Sequence, residues 1–180
     1  MSRAVRRGLI CALLAVTGAA HAQRIEVVVT RVSDGDTVWL RPVATAEAPR
    51  PRPIKLRLIG IDAPERCQAG GTEATAALKA RVLRRTVVVD RRANDDYGRG
   101  LVVLHVDGDD VNAWLVMQGH AWNYAGRSGA GRYASQERQA RAAGRGVFAD
   151  PQALEPGRFR RRHGPCDAPL SRVRAEAATD

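Results

Sequence analysis

The segment that decides the fold is Lys55-Leu56-Arg57-Leu58-Ile59-Gly60-Ile61-Asp62-Ala63-Pro64-Glu65. Its first half alternates apolar and polar residues, which is typical of a β-strand with one buried face. Leu56 and Leu58 then fill a core, while Arg57 projects from the opposite face of the sheet. Gly60 interrupts the alternation, so the strand is expected to end there.

Two carboxylates follow the end of this strand. Asp62 and Glu65 lie at the rim of the predicted sheet, within nine residues of Arg57. One interpretation of an Asp-x-Pro-Glu run is a loop that caps a helix. The other is a catalytic or metal-binding rim, and the rest of the chain has to decide between the two.

The N-terminus has the pattern of a secretory signal peptide. Three arginines precede an apolar run over residues 9–20, which is too short to span a bilayer. Ala20-His21-Ala22 is a small-x-small cleavage site, so residues 1–22 are predicted to be removed and the mature chain to start at Gln23. The product is expected to be soluble and either secreted or periplasmic.

The chain is basic, with 29 lysines and arginines against 19 acidic residues. The signal carries three arginines and no acid, so the mature chain keeps 26 basic residues and a net charge of +7. This charge favours a polyanionic partner such as nucleic acid. The competing explanation is a biased base composition, because only two of the basic residues are lysines.

Two cysteines remain after the signal, Cys67 and Cys166. An oxidising compartment permits a disulfide between them, and such a bond would tether the C-terminal tail beside Glu65. The pairing stays open at this point, because the sequence does not show whether the two sulfur atoms come within reach.

The remaining periodicity predicts three strands, a helix, two strands and then two helices. The strands are predicted at residues 24–32, 37–40, 54–60, 86–90 and 101–106, and the helices at 69–85, 110–118 and 132–144. This order predicts an α+β fold, namely a five-stranded β-barrel of the OB-fold type with about three α-helices, over residues 23–153. Residues 154–180 are basic and predicted to form a flexible C-terminal tail.

The turn at Asp34-Gly35-Asp36-Thr37 adds a second pair of acids. Most turns of this composition are only turns. Here Asp36 starts a strand, and its carboxylate can point toward Asp62 on a neighbouring strand. Two carboxylates on adjacent strands suit Ca²⁺, with a backbone carbonyl and waters completing the coordination shell.

Phosphodiester hydrolysis needs a base and cations in addition to the metal ligands. Glu65 is near enough to Asp62 to deprotonate a water held there. Negative charge then builds on the phosphoryl oxygens, and the planar guanidinium groups of Arg57 and Arg99 can bind these oxygens through paired hydrogen bonds. The residues together therefore predict a phosphodiesterase.

Several motifs in this order resemble those of the staphylococcal nuclease family. The matching segments are residues 32–37, 57–65, 96–100, 111–119 and 146–151. The resemblance covers about residues 24–152 and implies an OB-fold barrel. It also implies Ca²⁺-dependent cleavage of DNA and RNA, mostly single-stranded, on the 5′ side of the phosphodiester, which leaves 3′-phosphates.

The resemblance assigns the metal ligands residue by residue. It makes the side chains of Asp36 and Asp62 and the backbone carbonyl of Ala63 the ligands of Ca²⁺. Asp34 would be an acid just outside the coordination shell. The family often has threonine where this chain has Ala63, so the hydroxyl is lost here but the carbonyl is kept.

The resemblance also assigns the residues that act on the substrate. Glu65 resembles the general base, and Arg57 and Arg99 resemble the pair that binds the transition state. Aromatic residues would stack on or hydrogen-bond the nucleotide. Those aromatic residues are Tyr97, Tyr124 and Trp122.

Two other functions fit parts of the sequence. A non-catalytic OB-type module that binds nucleic acid needs cations but not three converging acids, and retention of Asp36, Asp62 and Glu65 argues against it. A glycosidase needs two carboxyls that flank a sugar cleft, and it leaves Arg57 and Arg99 without a role. The sequence therefore predicts a secreted, monomeric, Ca²⁺-dependent nuclease, with the preference between DNA and RNA left open.

Overall fold

The computed structural model describes residues 24–42, 49, 51–126 and 129–166. The predicted signal peptide at residues 1–22 and the last part of the predicted tail, residues 167–180, lie outside the described residues. Within the described ranges, no helix has both the length and the apolar character needed to cross a membrane.

Eight strand segments and four α-helices make up the described part of the chain. The strands are β1 (Arg24–Asp34), β2 (Thr37–Pro42), β3 (Ile54–Leu58), β4 (Ile61–Asp62), β5 (Thr86–Asn94), β6 (Gly100–Val106), β7 (Asp109–Asp110) and β8 (Trp122–Asn123). The helices are α1 (Gly71–Val82), α2 (Val111–Met117), α3 (Ala134–Ala142) and α4 (Pro156–His163), with a short 3₁₀ helix at Gly146–Ala149.

Five of these strands form a closed barrel. β1 makes an antiparallel hairpin with β2 and pairs on its other side with β5. β3 pairs antiparallel with β2 and parallel with β6, and β6 also pairs with β5, so the sheet closes on itself. The predicted α+β fold, a five-stranded barrel of the OB type with helices around it, is confirmed.

The barrel encloses an apolar core supplied by alternate residues of its strands. Val29, Leu58 and Leu104 are at most 1% exposed. α1 adds Leu78 and Val82, which lie one turn apart on the same face of the helix and are also fully buried. Burial of each such side chain contributes about 1.5–3 kcal/mol, which makes this core the main support of the rim above it.

A buried asparagine ties α2 to the strands beneath the rim. The side-chain oxygen of Asn112 accepts a hydrogen bond from the backbone N–H of Leu104 at 3.2 Å. Its amide nitrogen donates to the carbonyls of Ile59 at 3.0 Å and Val102 at 3.1 Å. Because Ile59 directly follows β3, these bonds fix where β3 ends relative to β6.

The C-terminal segment departs from the prediction. Residues expected in a flexible tail form α4, which begins at Pro156, a residue suited to the first turn of a helix. A disulfide joins Cys67 to Cys166, with the two Cα atoms 5.6 Å apart, so the bond that the sequence left open is present. Over the length of α4, the predicted tail is thus helical and attached to the Cys67 loop.

Candidate active site

Two buried carboxylates meet at the rim of the barrel. Asp36 lies in the turn between β1 and β2, Asp62 ends β4, and the two residues are 4% and 7% exposed. Nη2 of Arg57 lies 2.8 Å from Oδ2 of Asp36 and 2.8 Å from Oδ1 of Asp62. A single guanidinium nitrogen therefore joins the two acids.

Strand register produces this arrangement. Thr37 lies opposite Arg57 in the ladder between β2 and β3, so the residue before Thr37 comes close to the guanidinium. The Thr37 hydroxyl donates to Oδ1 of Asp36 at 3.0 Å, and the N–H of Ala63 donates to Oδ2 at 3.2 Å. Asp34 shapes the turn itself, because its Oδ1 accepts from the N–H of Asp36 at 3.1 Å.

Gly35 allows this turn to approach α1 and the loop after β4. A Cβ atom at Gly35 would lie 2.6 Å from Cβ of Ala63 and 2.8 Å from Cβ of Ala74. Real Cβ atoms do not come this close to other carbon atoms. A side chain at this position would therefore push the Asp36 turn away from Asp62.

Burial and crowding of negative charge raise the pKa of Asp36 from 3.8 to about 7. Burial is the main cause, Asp34 and Asp62 add to it, and Arg57 acts in the opposite direction without cancelling them. Burial also lowers the pKa of Arg57, but the same acids outweigh it and hold that pKa above its ordinary value. The rim therefore carries more negative charge than Arg57 neutralises.

The donors at this rim fit a hard divalent cation such as Ca²⁺. Asp36 and Asp62 bring carboxylate oxygens together, and the Ala63 N–H bond to Asp36 places the Ala63 backbone beside them. Among residues 24–42, 51–126 and 129–166, no three His, Cys, Asp or Glu side chains form a group able to hold a metal. The side chains thus provide two carboxylates, as predicted, and the remaining ligands would be backbone oxygen and water.

Glu65 lies on the same rim and is paired with an arginine from α4. Its Oε1 lies 2.5 Å from Nη1 of Arg160, and Nη2 of Arg160 lies 3.4 Å from Oδ2 of Asp62. The N–H of Glu65 donates to Oε1 of Gln68 at 3.1 Å, which shapes the loop. Arg160 was not predicted as a site residue, because it is one of three consecutive arginines without periodicity.

Arg99 reaches the rim from the turn between β5 and β6. Its Nε lies 2.6 Å from Oδ2 of Asp95, and its backbone N–H donates to Oδ1 of the same residue at 2.8 Å. The guanidinium carbon lies 5.5 Å from the centre of the Tyr97 ring. Asp95 therefore orients Arg99, and an acid four residues before an arginine in a turn is the signal that points to this pair.

These side chains line one open cavity of about 500 Å³. Its polar and aromatic lining residues include Arg57, Asp62, Glu65, Tyr97, Arg99, Tyr124 and Arg160. Tyr97 is 86% exposed and Tyr124 is 59% exposed, so both rings are accessible for stacking. The fold thus brings the three predicted catalytic residues together, and their individual roles stay predictions.

Trp122 does not belong to this exposed aromatic surface. It is 4% exposed and packs edge-on against Phe148, with the ring centres 5.8 Å apart. A base has no open ring face to stack on, which argues against stacking on Trp122. Trp122 does line a second cavity beside Asp62 and Tyr124, so its contact with the nucleotide stays a prediction. Its backbone lies opposite Asp62 in the pairing of β4 with β8, so Trp122 supports the strand that carries that acid.

Comparison with known proteins adds the family. The model of the staphylococcal nuclease homologue family matches residues 55–150. The chain belongs to the staphylococcal nuclease family. The family match runs from β3 to the end of the 3₁₀ helix, so it includes Arg57, Glu65 and Arg99 and ends before Arg160.

Three relatives match this member of the staphylococcal nuclease family over most of their length. Protein ParB of Escherichia coli is 38% identical over 169 residues, which cover 87% of this chain and 90% of ParB. An uncharacterized endonuclease of Haemophilus influenzae is 35% identical, covering 74% of this chain and 71% of its own. The micrococcal nuclease of Shigella flexneri is 33% identical, with 74% and 79% covered.

Proposed function

We propose that this protein is a Ca²⁺-dependent nuclease that hydrolyses the phosphodiester bonds of DNA, RNA or both. The nuclease class follows from membership of the staphylococcal nuclease family. The observation that carries the finer proposal is the single cavity lined by Arg57, Glu65 and Arg99, with Asp62 in its wall. A base, two cations and a cation-binding acid are what phosphodiester hydrolysis requires.

Glu65 acts as the general base in this proposal. Its carboxylate accepts a proton from a water molecule while the water oxygen bonds to phosphorus. The bond from phosphorus to the 5′ oxygen of the next nucleotide breaks, this oxygen takes a proton from solvent water to become a 5′-hydroxyl, and a 3′-phosphate remains. A carboxylate accepts hydrogen bonds on both of its oxygens, so Glu65 can hold that water while Oε1 still accepts from Arg160.

Arg57 and Arg99 stabilise the charge that develops on the phosphoryl oxygens. One edge of the Arg57 guanidinium contacts Asp62, and one edge of the Arg99 guanidinium contacts Asp95. Both arginines line the cavity. The acids hold the two cations in place before the substrate arrives. Less reorganisation is then needed when the transition state forms.

Asp36, Asp62 and the carbonyl of Ala63 would hold the Ca²⁺ ion. When bound, the ion supplies positive charge that stabilises the phosphoryl oxygens in the transition state. The raised pKa of Asp36 supports this assignment, because a cation at the rim lowers the cost of ionising Asp36 beside the neighbouring acids.

We further propose that the protein acts outside the cytoplasm, as a monomer, mainly on single-stranded substrates. The signal-like pattern of residues 1–22 and the disulfide between Cys67 and Cys166 support export. The exposed rings of Tyr97 and Tyr124 support the preference for single strands, because unpaired bases offer their faces for stacking. Cell fractionation and light scattering of the purified protein measure the location and the oligomeric state.

Digestion of a 5′-labelled single-stranded oligonucleotide tests the proposed activity. The mature protein is incubated with the oligonucleotide in Ca²⁺ or in EGTA, and the labelled fragments are treated with a 3′-phosphatase. Cleavage is expected only with Ca²⁺, and the phosphatase should slow the migration of the fragments by removing the terminal phosphate. Cleavage in EGTA contradicts the metal requirement, and binding without cleavage identifies a non-catalytic module. Matched duplex and RNA substrates measure the preference.

A further inference from the structure

We propose that Arg160 is a third substrate-binding arginine of this site, held in place by α4 and the Cys67–Cys166 disulfide. This inference rests on the proposed nuclease function and adds a phosphate-binding residue to it. Arg160 lies beyond residue 150, where the match to the model of the staphylococcal nuclease family ends.

Arg160 is placed like the other two arginines of the cavity. All three line the same space, and each is held by an acid at one edge of its guanidinium. The side chain of Arg160 is 43% exposed, against 24% for Arg57 and 28% for Arg99. A guanidinium has five N–H donors, and the contacts to two acids leave others able to reach a phosphate in the open cavity.

The loop that carries Glu65 is fastened to α4 on both sides of the helix. Cys67 lies two residues after Glu65 and bonds to Cys166, three residues beyond the end of the helix. Before the helix, Nε2 of Gln68 donates to the carbonyl of Leu154 at 2.6 Å. The two attachments restrain the backbone that carries Arg160, which lowers the entropic cost of holding a long side chain at the cavity.

The acids around Arg160 indicate how it turns to the substrate. Its contact with Asp62 is long, at 3.4 Å, and Asp62 is also a proposed Ca²⁺ ligand. The long contact holds Nη2 only loosely, so Nη2 can turn to a phosphate of the bound strand while Nη1 stays on Glu65, and positive charge bound at Asp62 weakens the contact further. Because Arg57 and Arg99 serve the phosphate that is cleaved, Arg160 binds a neighbouring phosphate and contributes to substrate affinity rather than to the chemical step.

Three variants test this role, namely Arg160→Gln, Arg160→Lys and the control Arg162→Gln. Arg162 is exposed on the same helix, about 200° around it from Arg160, and does not line the cavity. The dissociation constant of a fluorescent single-stranded oligonucleotide is measured in EGTA by anisotropy over a range of NaCl concentrations. KM and kcat are then measured on the same oligonucleotide in Ca²⁺.

Arg160→Gln is expected to reduce the slope of log Kd against log salt by about 0.7, the value for one lost contact to a single-strand phosphate. It should raise KM about tenfold, as expected for the loss of a charge-assisted hydrogen bond, and leave kcat within about threefold of the parent. Arg160→Lys keeps the charge and should keep the slope. Arg162→Gln should behave like the parent in both assays.

Two results would overturn the role of Arg160. One is an unchanged slope and KM in Arg160→Gln, and the other is a rise in kcat/KM, which would mean that Arg160 blocks Glu65. Thermal unfolding monitors the fold, and Arg160→Met, which also removes the charge, takes the place of the glutamine variant in the salt-slope test if that variant unfolds. A parent protein that binds the oligonucleotide without cutting it contradicts the proposed nuclease function, while the binding slopes still decide on Arg160.

Discussion

Arg57 is the side chain on which the two buried acids depend. One of its nitrogens contacts both Asp36 and Asp62, so its removal would leave two buried carboxylates without their shared partner. Breaking such a pair costs about 3–5 kcal/mol in folded proteins. A loss of activity in an Arg57 variant would therefore mix instability with lost chemistry. Glu65 separates the two better, because it lies on the more open part of the rim.

Replacing Glu65 with glutamine is expected to lower kcat by about 10²–10⁴-fold, the usual contribution of a general base. KM should change little, since the amide oxygen keeps the shape and can still accept from Arg160. Steady-state kinetics on an oligonucleotide in Ca²⁺ measures both constants. Glu73→Gln, an exposed acid on α1 outside the cavity, is the matched control. A parental kcat in Glu65→Gln would show that another group removes the proton.

Asp36 predicts a pH dependence of stability in the absence of metal. Its pKa is raised to about 7 in the folded chain and is near 3.8 when unfolded, so the folded state holds the extra proton between these values. The contribution of Asp36 to the free energy of unfolding is therefore largest below about pH 4 and is lost as the pH rises to about 7. Denaturant unfolding in EGTA across this range measures the loss.

Asp36→Asn should remove this pH-dependent loss, because the amide does not titrate. Added Ca²⁺ at pH 8 should stabilise the parent against unfolding and leave Asp36→Asn unchanged, since the variant lacks one proposed ligand. Asp107→Asn makes the same chemical change at an exposed site far from the rim in sequence and serves as the control. Equal pH profiles for the parent and Asp36→Asn would show that the acid is ionised at little cost.

Among the elements, the junction of β3, β6 and α2 depends most on one polar side chain. Asn112→Ala would leave the Leu104 N–H and the Ile59 and Val102 carbonyls without their buried partner. We expect a loss of about 2–4 kcal/mol in the free energy of unfolding, since each unsatisfied buried group is costly. Chemical denaturation measures it, and Asn94→Ala at the exposed end of β5 should cost less than about 1 kcal/mol. A loss as small as that in Asn112→Ala would mean that water replaces the side chain.

The elements with a regular apolar pattern were predictable from the sequence. α1, α2 and the three N-terminal strands lie within a few residues of the predicted bounds, because their buried positions recur with the period of a helix or a strand. α3 also lies within a few residues of its predicted bounds, although Ala140 is its one buried residue. β5 continues to Asn94, beyond the predicted end at Asp90. Its last four residues are exposed and are held by pairing with β6, which leaves no apolar alternation to detect.

The residues that the sequence could not place depend on distant partners. Arg160 sits in a polar helix with no apolar stripe, and its position follows from the Cys67–Cys166 bond and from contacts almost a hundred residues away. Trp122 comes after a helix and next to a polar residue, a pattern that does not indicate burial. In the structure its ring packs against Phe148. The sequence did predict that Asp36, Arg57 and Asp62 lie close together. Their spacing along the chain indicates the strand register, and the register decides where they meet.

In the molecule as a whole, the three arginines that line the cavity come from separate parts of the chain. Arg57 comes from β3, Arg99 from the turn between β5 and β6, and Arg160 from α4. The first two belong to the closed barrel, so their positions are as stable as the fold itself. The third is attached from outside through a bond between residues 99 positions apart, and it can be released without opening the barrel.

Replacing both Cys67 and Cys166 with serine is therefore expected to act on stability and on substrate affinity together. Disulfides typically contribute about 2–4 kcal/mol to stability, and guanidinium chloride unfolding should show a loss of at least that order. KM should rise by about the factor expected for Arg160→Gln, because α4 loses one of its two attachments. The value of kcat should stay close to that of the parent, since Arg57 lies on β3 and the Glu65 loop keeps the bond from its N–H to Gln68.

Reduction provides the control for this last prediction. Dithiothreitol should reproduce the change in KM in the parent protein and have no effect on the double serine variant, which excludes a general action of the reductant. Adding Arg160→Gln to the double serine variant should not raise KM further above the value of the double serine variant, because both changes remove the same contact. Lower stability with an unchanged KM would mean that Gln68 and its bond to the Leu154 carbonyl hold α4 without the disulfide. Additive rises in KM would instead place the effect of the disulfide on Glu65, whose loop carries Cys67.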